Sequence, residues 1–232
     1  MENAFHITSW QAALEQGLKD LPLDIDASRI AQMALHAELL VQWNRRINLT
    51  AIVDPVEMAW KHWVDSLSVL DQVKPDDHVL DMGSGAGFPG LVWKTARPEM
   101  QICMVDAVQK KIHFIRQVLR SMGHATGSAV QARIEVLATD PAHRGAYDCV
   151  TCRAYSSLSG IIEQARPLLK PGGRIIAMKS MEGDREWSAV VCQSRKSERA
   201  DGGKAAPTLI SRHPYRLTGV GAERLCLVIG FS

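Results

Sequence analysis

Asp81 stands two residues before Gly83, at the end of the apolar run that holds Val79 and Leu80, and Asp106 closes the next apolar run, Gln101-Ile102-Cys103-Met104-Val105. Between them lies the turn Gly83-Ser84-Gly85-Ala86-Gly87-Phe88-Pro89-Gly90. Together these residues can hold a nucleoside-bearing cofactor. Glycine admits positive φ and lets the backbone approach a ligand closely. The N–H groups at the start of the following helix then face that ligand. A carboxylate roughly 20 residues beyond such a turn, at the tip of the next strand, is placed to hydrogen-bond a ribose.

Gly85, Gly87 and Gly90 satisfy the dinucleotide pattern G-x-G-x-x-G. Two features point elsewhere. The strand ends near Met82, so Gly83 is the first glycine of the turn, and in that register the third dinucleotide glycine falls at Phe88. Asp81 also puts a carboxylate where it would repel a pyrophosphate. S-adenosylmethionine brings an ammonium and a sulfonium instead, and is favoured over NAD. The expected cofactor-binding residues are Asp81, Gly83, Ser84, Gly85, Gly87 and Phe88 of the turn, with Asp106 on the ribose hydroxyls. Asp106 can also cap the helix over 108–122, and the two roles are compatible. Ile134-Glu135 follows the third strand, where an adenine would lie. Glu135 reads equally as a solvated helix residue.

These side chains need a scaffold. From Lys74 onward, strands over about 78–82, 101–105, 126–130, 147–152 and 173–179 alternate with helices over about 88–96, 108–122, 133–138 and 158–169. That alternation predicts right-handed βαβ crossovers and a parallel sheet. Two further runs, Thr208–Leu217 and Glu223–Phe231, read as a closing antiparallel hairpin. The fold class is therefore α/β, Rossmann-like, with a seven-stranded, mostly parallel sheet whose last strand is reversed. Residues 1–73 form a helical appendage and 74–232 the cofactor-binding domain. In the appendage, Ser28 is the expected N-cap of one helix, and Asp54-Pro55 opens another. The segment 193–206, rich in Ser, Arg, Lys and Gly, reads as a mobile loop.

Composition narrows the class. The chain of 232 residues is 46% hydrophobic and 22% charged, so a sizeable core is available. No run approaches the roughly 18 apolar residues of a membrane span, and Met1 to Trp10 lack a secretory pattern; a cytoplasmic protein is expected. The five cysteines are scattered and fit a reducing compartment. Cys149 and Cys152 form a C-x-x-C, but on a strand they point to opposite faces. They read as buried thiols, and no metal is expected. The net charge of +2 hides an asymmetry: residues 1–80 carry 6 Lys and Arg against 12 Asp and Glu, and the remainder 21 against 13. A basic core domain permits a nucleic-acid partner.

Several segments together resemble the RsmG (GidB) family of bacterial 16S ribosomal RNA guanine-N7 methyltransferases. They are Trp43-Asn44-Arg45-Arg46-Ile47-Asn48-Leu49-Thr50, Lys61-His62-Trp63-Val64-Asp65-Ser66, Val79 to Gly90, Val105-Asp106-Ala107 with Lys110-Lys111, Arg133-Ile134-Glu135, Cys152-Arg153-Ala154-Tyr155, Met178-Lys179 and Glu223-Arg224-Leu225. Ser180 departs from the family's usual glycine. The resemblance implies cofactor contacts at Gly83, Phe88, Ile134, Glu135 and Arg153. It implies methyl transfer from S-adenosylmethionine to a guanine N7 in 16S rRNA or the small ribosomal subunit. Guanine N7 carries a lone pair and needs no deprotonation, so no catalytic base is assigned. Arg153, Tyr155 and Lys179 are candidates for positioning the base; Tyr155 reads equally as a packing residue. Candidate RNA contacts are Arg45, Arg46, Asn48, His62, Lys110, Lys111, Lys179, Arg195, Lys196 and Arg199. His62 and Asp65 read as a local structural pair at a helix that roofs the pocket. A monomer is the default. Two other readings stay open: methylation of a protein or small molecule, and a ribosome-assembly factor without catalysis.

Overall fold

The computed structural model describes residues 5–124, 127–197 and 205–231. Helices α1 (Ile7–Leu18) and α2 (Ala27–Ile47) open the chain. Asp26, not Ser28, caps α2: its Oδ1 accepts the Arg29 N–H at 2.9 Å. Ser28 falls inside the first turn, because the carboxylate two residues earlier reaches the free N–H of the third helical residue. The helix stops at Asn48, which adopts φ 46°, a left-handed conformation that Asn tolerates. Asp54 caps α3 (Pro55–Met58) by accepting the Glu57 N–H at 2.8 Å, and Pro55 sits in the first turn. The rod continues through a π-helical stretch, Ala59–Val64, into α4 (Asp65–Leu67).

Seven strands follow: β1 (His78–Met82), β2 (Gln101–Asp106), β3 (Gly127–Gln131), β4 (Tyr147–Arg153), β5 (Leu169–Lys179), β6 (Pro207–Leu217) and β7 (Ala222–Phe231). Their order across the sheet is β3-β2-β1-β4-β5-β7-β6. β1 to β5 are parallel, and β7 runs antiparallel to both β5 and β6. This is the expected sheet with its reversed last strand. The order switches direction between β1 and β4, and ligands of such sheets bind at the carboxyl ends of the strands there. Asp81, Asp106 and Arg153 all lie at those ends.

The connecting helices are α5 (Gly90–Ala96), α6 (Gln109–Ser121), α7 (Ile134–Leu137) and α8 (Leu158–Ala165). One sequence expectation fails beyond β5. Residues 193–197 are not loop but the end of α9 (Gly183–Ser197); residues 198–204 lie outside the described set. The apolar signal of α9 is thin. Val190 is buried and Trp187 packs against the same cluster, three residues apart on one face, while charge dominates the rest.

Alternation along the strands divides the core. Val79, Ile102, Met104, Cys149 and Ile176 face a cluster shared with α1, α2, α5 and α6. Leu80, Cys103, Val105, Cys152 and Ile175 face the other, with α7 and α8. Cys149 and Cys152 are thus split between faces, and both thiols are free and buried. The N-terminal helices share the first cluster with the sheet: Trp10 meets Trp63 edge to face at 4.9 Å. Among the described residues no helix is long and apolar enough to cross a membrane.

Candidate cofactor and substrate site

Asp81 is fully buried at the end of β1. Its Oδ2 accepts the Gly90 N–H at 3.0 Å, and a Cβ on Gly90 would come within 2.6 Å of that oxygen. Only glycine allows α5 to start this close to the strand. Oδ1 of Asp81 is buried with no hydrogen-bond partner among the described residues. Loss of water pushes the Asp81 carboxyl up to about 7, opposed by the Gly90 hydrogen bond, then by the nearby Ser84 hydroxyl and the positive charge of Arg153. An unpaired buried carboxylate oxygen is costly. A cationic ligand group is the natural remedy, and an ammonium-bearing cofactor fits this donor set.

The turn adopts positive φ at Gly83 (+73°), Gly85 (+56°) and Gly87 (+86°). A Cβ on Gly83 would lie 2.3 Å from Cδ2 of Tyr155, so that ring rests directly on the turn. The Gly85 N–H donates to Asp106 Oδ2 at 3.1 Å, the Val108 N–H donates to Oδ1 at 2.8 Å, and Lys111 stands 3.6 Å away. Asp106 therefore orders both the turn and the entry to α6. Carboxylate oxygens accept more than one bond, so hydroxyls can still share them. Ser84 is turned inward: its hydroxyl donates to the Asp81 carbonyl at 2.8 Å and accepts the Val105 N–H at 3.0 Å. It pins the turn to two strands.

Phe88 is buried in an aromatic nest. His36 and His62 stack on it at 5.0 and 4.6 Å, and Trp63 meets it edge-on at 4.9 Å. Arg153 Cζ lies 5.0 Å from the Phe88 ring centroid. His36 Nε2 donates to the Ala86 carbonyl at 2.9 Å, and burial pushes its pKa down to about 4. Arg153 donates to the Lys61 carbonyl (2.7 Å), to Asp65 Oδ2 (3.2 Å) and to His62 Nδ1 (3.1 Å). Arginine can only donate, so Nδ1 accepts and His62 Nε2 carries the hydrogen toward Thr50 Oγ1, 2.9 Å away. Burial, then Arg153, hold His62 well below the ordinary imidazole range. The expected pair of His62 with Asp65 is replaced by a shared partner, Arg153. At 7% exposure His62 offers almost no surface to RNA.

Two polar bridges were not legible beforehand. The Tyr155 hydroxyl donates to Gln164 Oε1 (2.7 Å), and Gln164 Nε2 donates to Glu135 Oε1 (2.8 Å). Gln164 carries no motif signal; only the packing of α8 brings it between them. Ile134 is buried and Glu135 exposed. Lys179 donates to the Ser156 carbonyl at 3.0 Å and pairs with Glu186 at 2.8 Å, so it is held beside the Tyr155 segment. Elsewhere, Arg45, Arg46 and Asn48 are exposed at the end of α2, and Lys110 and half-buried Lys111 open α6. Arg195 and Lys196 fall in the last turn of α9, and Arg199 lies outside the described residues. Among the described residues, no group of three or more His, Cys, Asp or Glu could hold a metal.

A model of the family described as rRNA small subunit methyltransferase G (GidB) matches residues 29–201. The chain belongs to this family. It is 37% identical over 224 residues to Ribosomal RNA small subunit methyltransferase G of Geobacter sp. (strain M21), covering 97% of this chain and 99% of that protein. It is 40% identical over 179 residues to the protein of the same description from Symbiobacterium thermophilum, covering 74% and 73%. Among solved structures, an O-methyltransferase from Bacillus cereus in complex with SAH superposes with a TM-score of 0.55 at 14% identity, covering 97% of this chain and 99% of that one. That likeness is one of fold. The family resemblance carried by the motifs is thus confirmed, and the family is one of S-adenosylmethionine-dependent methyltransferases.

Proposed function

We propose that this protein transfers the methyl group of S-adenosylmethionine to N7 of a guanine in the 16S RNA of the small ribosomal subunit. The observation that carries the cofactor half of this reading is the unpaired, buried oxygen of Asp81 beneath the glycine turn. Asp81 would meet the ammonium group, Asp106 the ribose, and the Ile134-Glu135 segment the adenine. Bound S-adenosylmethionine supplies an electrophilic methyl on a sulfonium.

The rest falls to the chain's own side chains. Guanine N7 already presents a lone pair, so the site has no proton to remove. The titratable groups nearby agree with that economy. His36 and His62 are neutral and committed, and both oxygens of Asp106 are engaged. What remains is positioning, worth roughly 7–11 kcal/mol in favourable cases. Tyr155, resting on Gly83 and anchored through Gln164, offers a rigid face at the mouth of the turn. Arg153, fixed by Asp65 and the Lys61 carbonyl, keeps Phe88 and the roof of the pocket in place.

The test is to map N7-methylguanine by borohydride–aniline cleavage of 16S RNA from cells with and without the protein. One cleavage site that disappears with the protein is expected. Label from radioactive S-adenosylmethionine found only in protein or metabolites would overturn the RNA assignment.

A further inference from the structure

Helices α2 and α6 lie side by side, and Gln32 Nε2 donates across them to the Met122 carbonyl at 3.2 Å. Their outer edges enclose a groove of about 410 Å³ lined by Trp43, His113, Arg116 and Arg120. The three α6 side chains are exposed and Trp43 is half-buried, with its ring edge-on to Phe114 at 5.7 Å. Lys110, His113, Arg116 and Arg120 recur at three- and four-residue spacing, so they share one face of α6. That stripe is about 15 Å long. The helix, QKKIHFIRQVLRS, contains no acidic residue.

Among the described residues, neither arginine has a carboxylate partner. Arg116 spends Nε and one terminal nitrogen on the Ala129 carbonyl, at 3.1 and 2.8 Å, which holds its guanidinium against β3. Arg120 donates to Gln117 at 2.9 Å. α6 begins three residues after Asp106. The cationic stripe therefore starts beside the cofactor turn and runs away from it.

A half-buried aromatic ring beside uncompensated guanidinium groups, in a concave surface, is the chemistry of a single-strand site. Bases stack on the ring and phosphates meet the cations. Unpaired RNA is also the form in which bases can splay out for recognition. We propose that this groove binds a single-stranded stretch of RNA flanking the target base, with one base against Trp43 and phosphates on Arg116 and Arg120. The inference rests on the RNA methyltransferase reading and extends it to the path the substrate takes out of the cleft.

The experiment is fluorescence anisotropy of a labelled ten-nucleotide single-stranded RNA, titrated with the full chain at several salt concentrations. Arg120→Gln is expected to weaken binding several-fold and to flatten the slope of log K against log salt by about 0.7, the release expected for one lost phosphate contact on a single strand. Trp43→Leu should weaken binding about fivefold without changing that slope, and Trp43→Phe should restore most of the loss. Calorimetric titration with S-adenosylmethionine should be unchanged in Arg120→Gln, which shows that the fold is intact. Should Trp43→Leu not fold, Arg120→Gln decides alone. Unaltered affinity and slope in that variant overturn the proposal, as does failure of the unaltered protein to bind the oligonucleotide. Loss of small-subunit binding with oligonucleotide binding retained also overturns it, and assigns the face to a protein partner. The underlying reading fails separately, if the unaltered protein transfers no methyl to 16S RNA.

Discussion

Asp65 and Arg153 meet at 3.2 Å across 88 residues of chain, tying the N-terminal helices to the tip of β4. The same carboxylate accepts the Tyr215 hydroxyl at 2.8 Å and lies 3.6 Å from Arg224. One buried aspartate thus joins the helical segment, the central sheet and the closing hairpin. Removing it leaves two guanidinium groups without their counter-charge. Breaking a buried pair this way costs about 3–5 kcal/mol. Asp65→Ala should lose at least the lower figure in a urea titration. A loss under about 1 kcal/mol would mean that the arginines find other partners.

Gly83→Ala should cost more than Gly85→Ala. Both positions need positive φ, a strain of about 1–2 kcal/mol for any residue with a Cβ. Only at Gly83 does the new methyl strike a neighbour, the Tyr155 ring. At Gly85 the nearest atom is 3.9 Å away. Calorimetry should show S-adenosylmethionine affinity falling tenfold or more in Gly83→Ala. Part of the lost stability should return in the double variant with Tyr155→Ala. Equal effects at the two glycines would remove Tyr155 from the site.

Gln164→Ala and Tyr155→Phe break the same hydrogen bond from opposite sides. Both groups are partly exposed, so each should change stability by under about 1 kcal/mol. Each should raise KM for RNA with kcat little changed, if the bond only orients the ring. Their combination should be no worse than either alone, because residues that share one interaction are not additive. Full additivity in kcat/KM would separate Gln164 from Tyr155.

The legible parts of this protein were local. The turn from Asp81 to Gly90, the carboxylate at Asp106 and the alternation of strands with helices each leave a signal within about 20 residues. β1, β2 and β4 accordingly fall within one residue of their expected bounds. The Asp65 hub draws on residues 65, 153, 215 and 224, which no periodicity connects. Ser84 and His62 looked outward by residue type. Burial turned both inward, one to pin two strands and the other to share Arg153. α9 was hidden because its apolar stripe is narrow, and residues 193–197, the start of the Ser- and Arg-rich stretch that reads as loop, form its final turn. The missing information was in long-range pairing, not in propensity.

Asp81 makes the site sensitive to pH in two opposite ways. In the folded chain its carboxyl sits near 7, against an ordinary value of 3.8, because burial strips its water. Between these values the folded protein keeps a proton that the unfolded chain releases. The contribution of Asp81 to stability must then fall across about pH 4 to 7, by a total on the order of 4 kcal/mol, and stay level above, while buried His36 and His62, held below their ordinary value, contribute a rise over the lower part of the same range. A cationic cofactor demands the opposite, since it needs the ionised carboxylate. From pH 5.5 to 7 the ionised fraction rises more than tenfold, and the affinity for S-adenosylmethionine should rise with it. That range stays below the titration of an α-amino group, near 7.7–8.0. Asp81→Asn should bind weakly at every pH, and the stability difference between the unaltered protein and this variant should fall from pH 4 to 7. Calorimetry at three pH values decides the matter: a cofactor affinity that does not change with pH in the unaltered protein would mean that Asp81 is already ionised, its second oxygen paired, and the cation held by some other group.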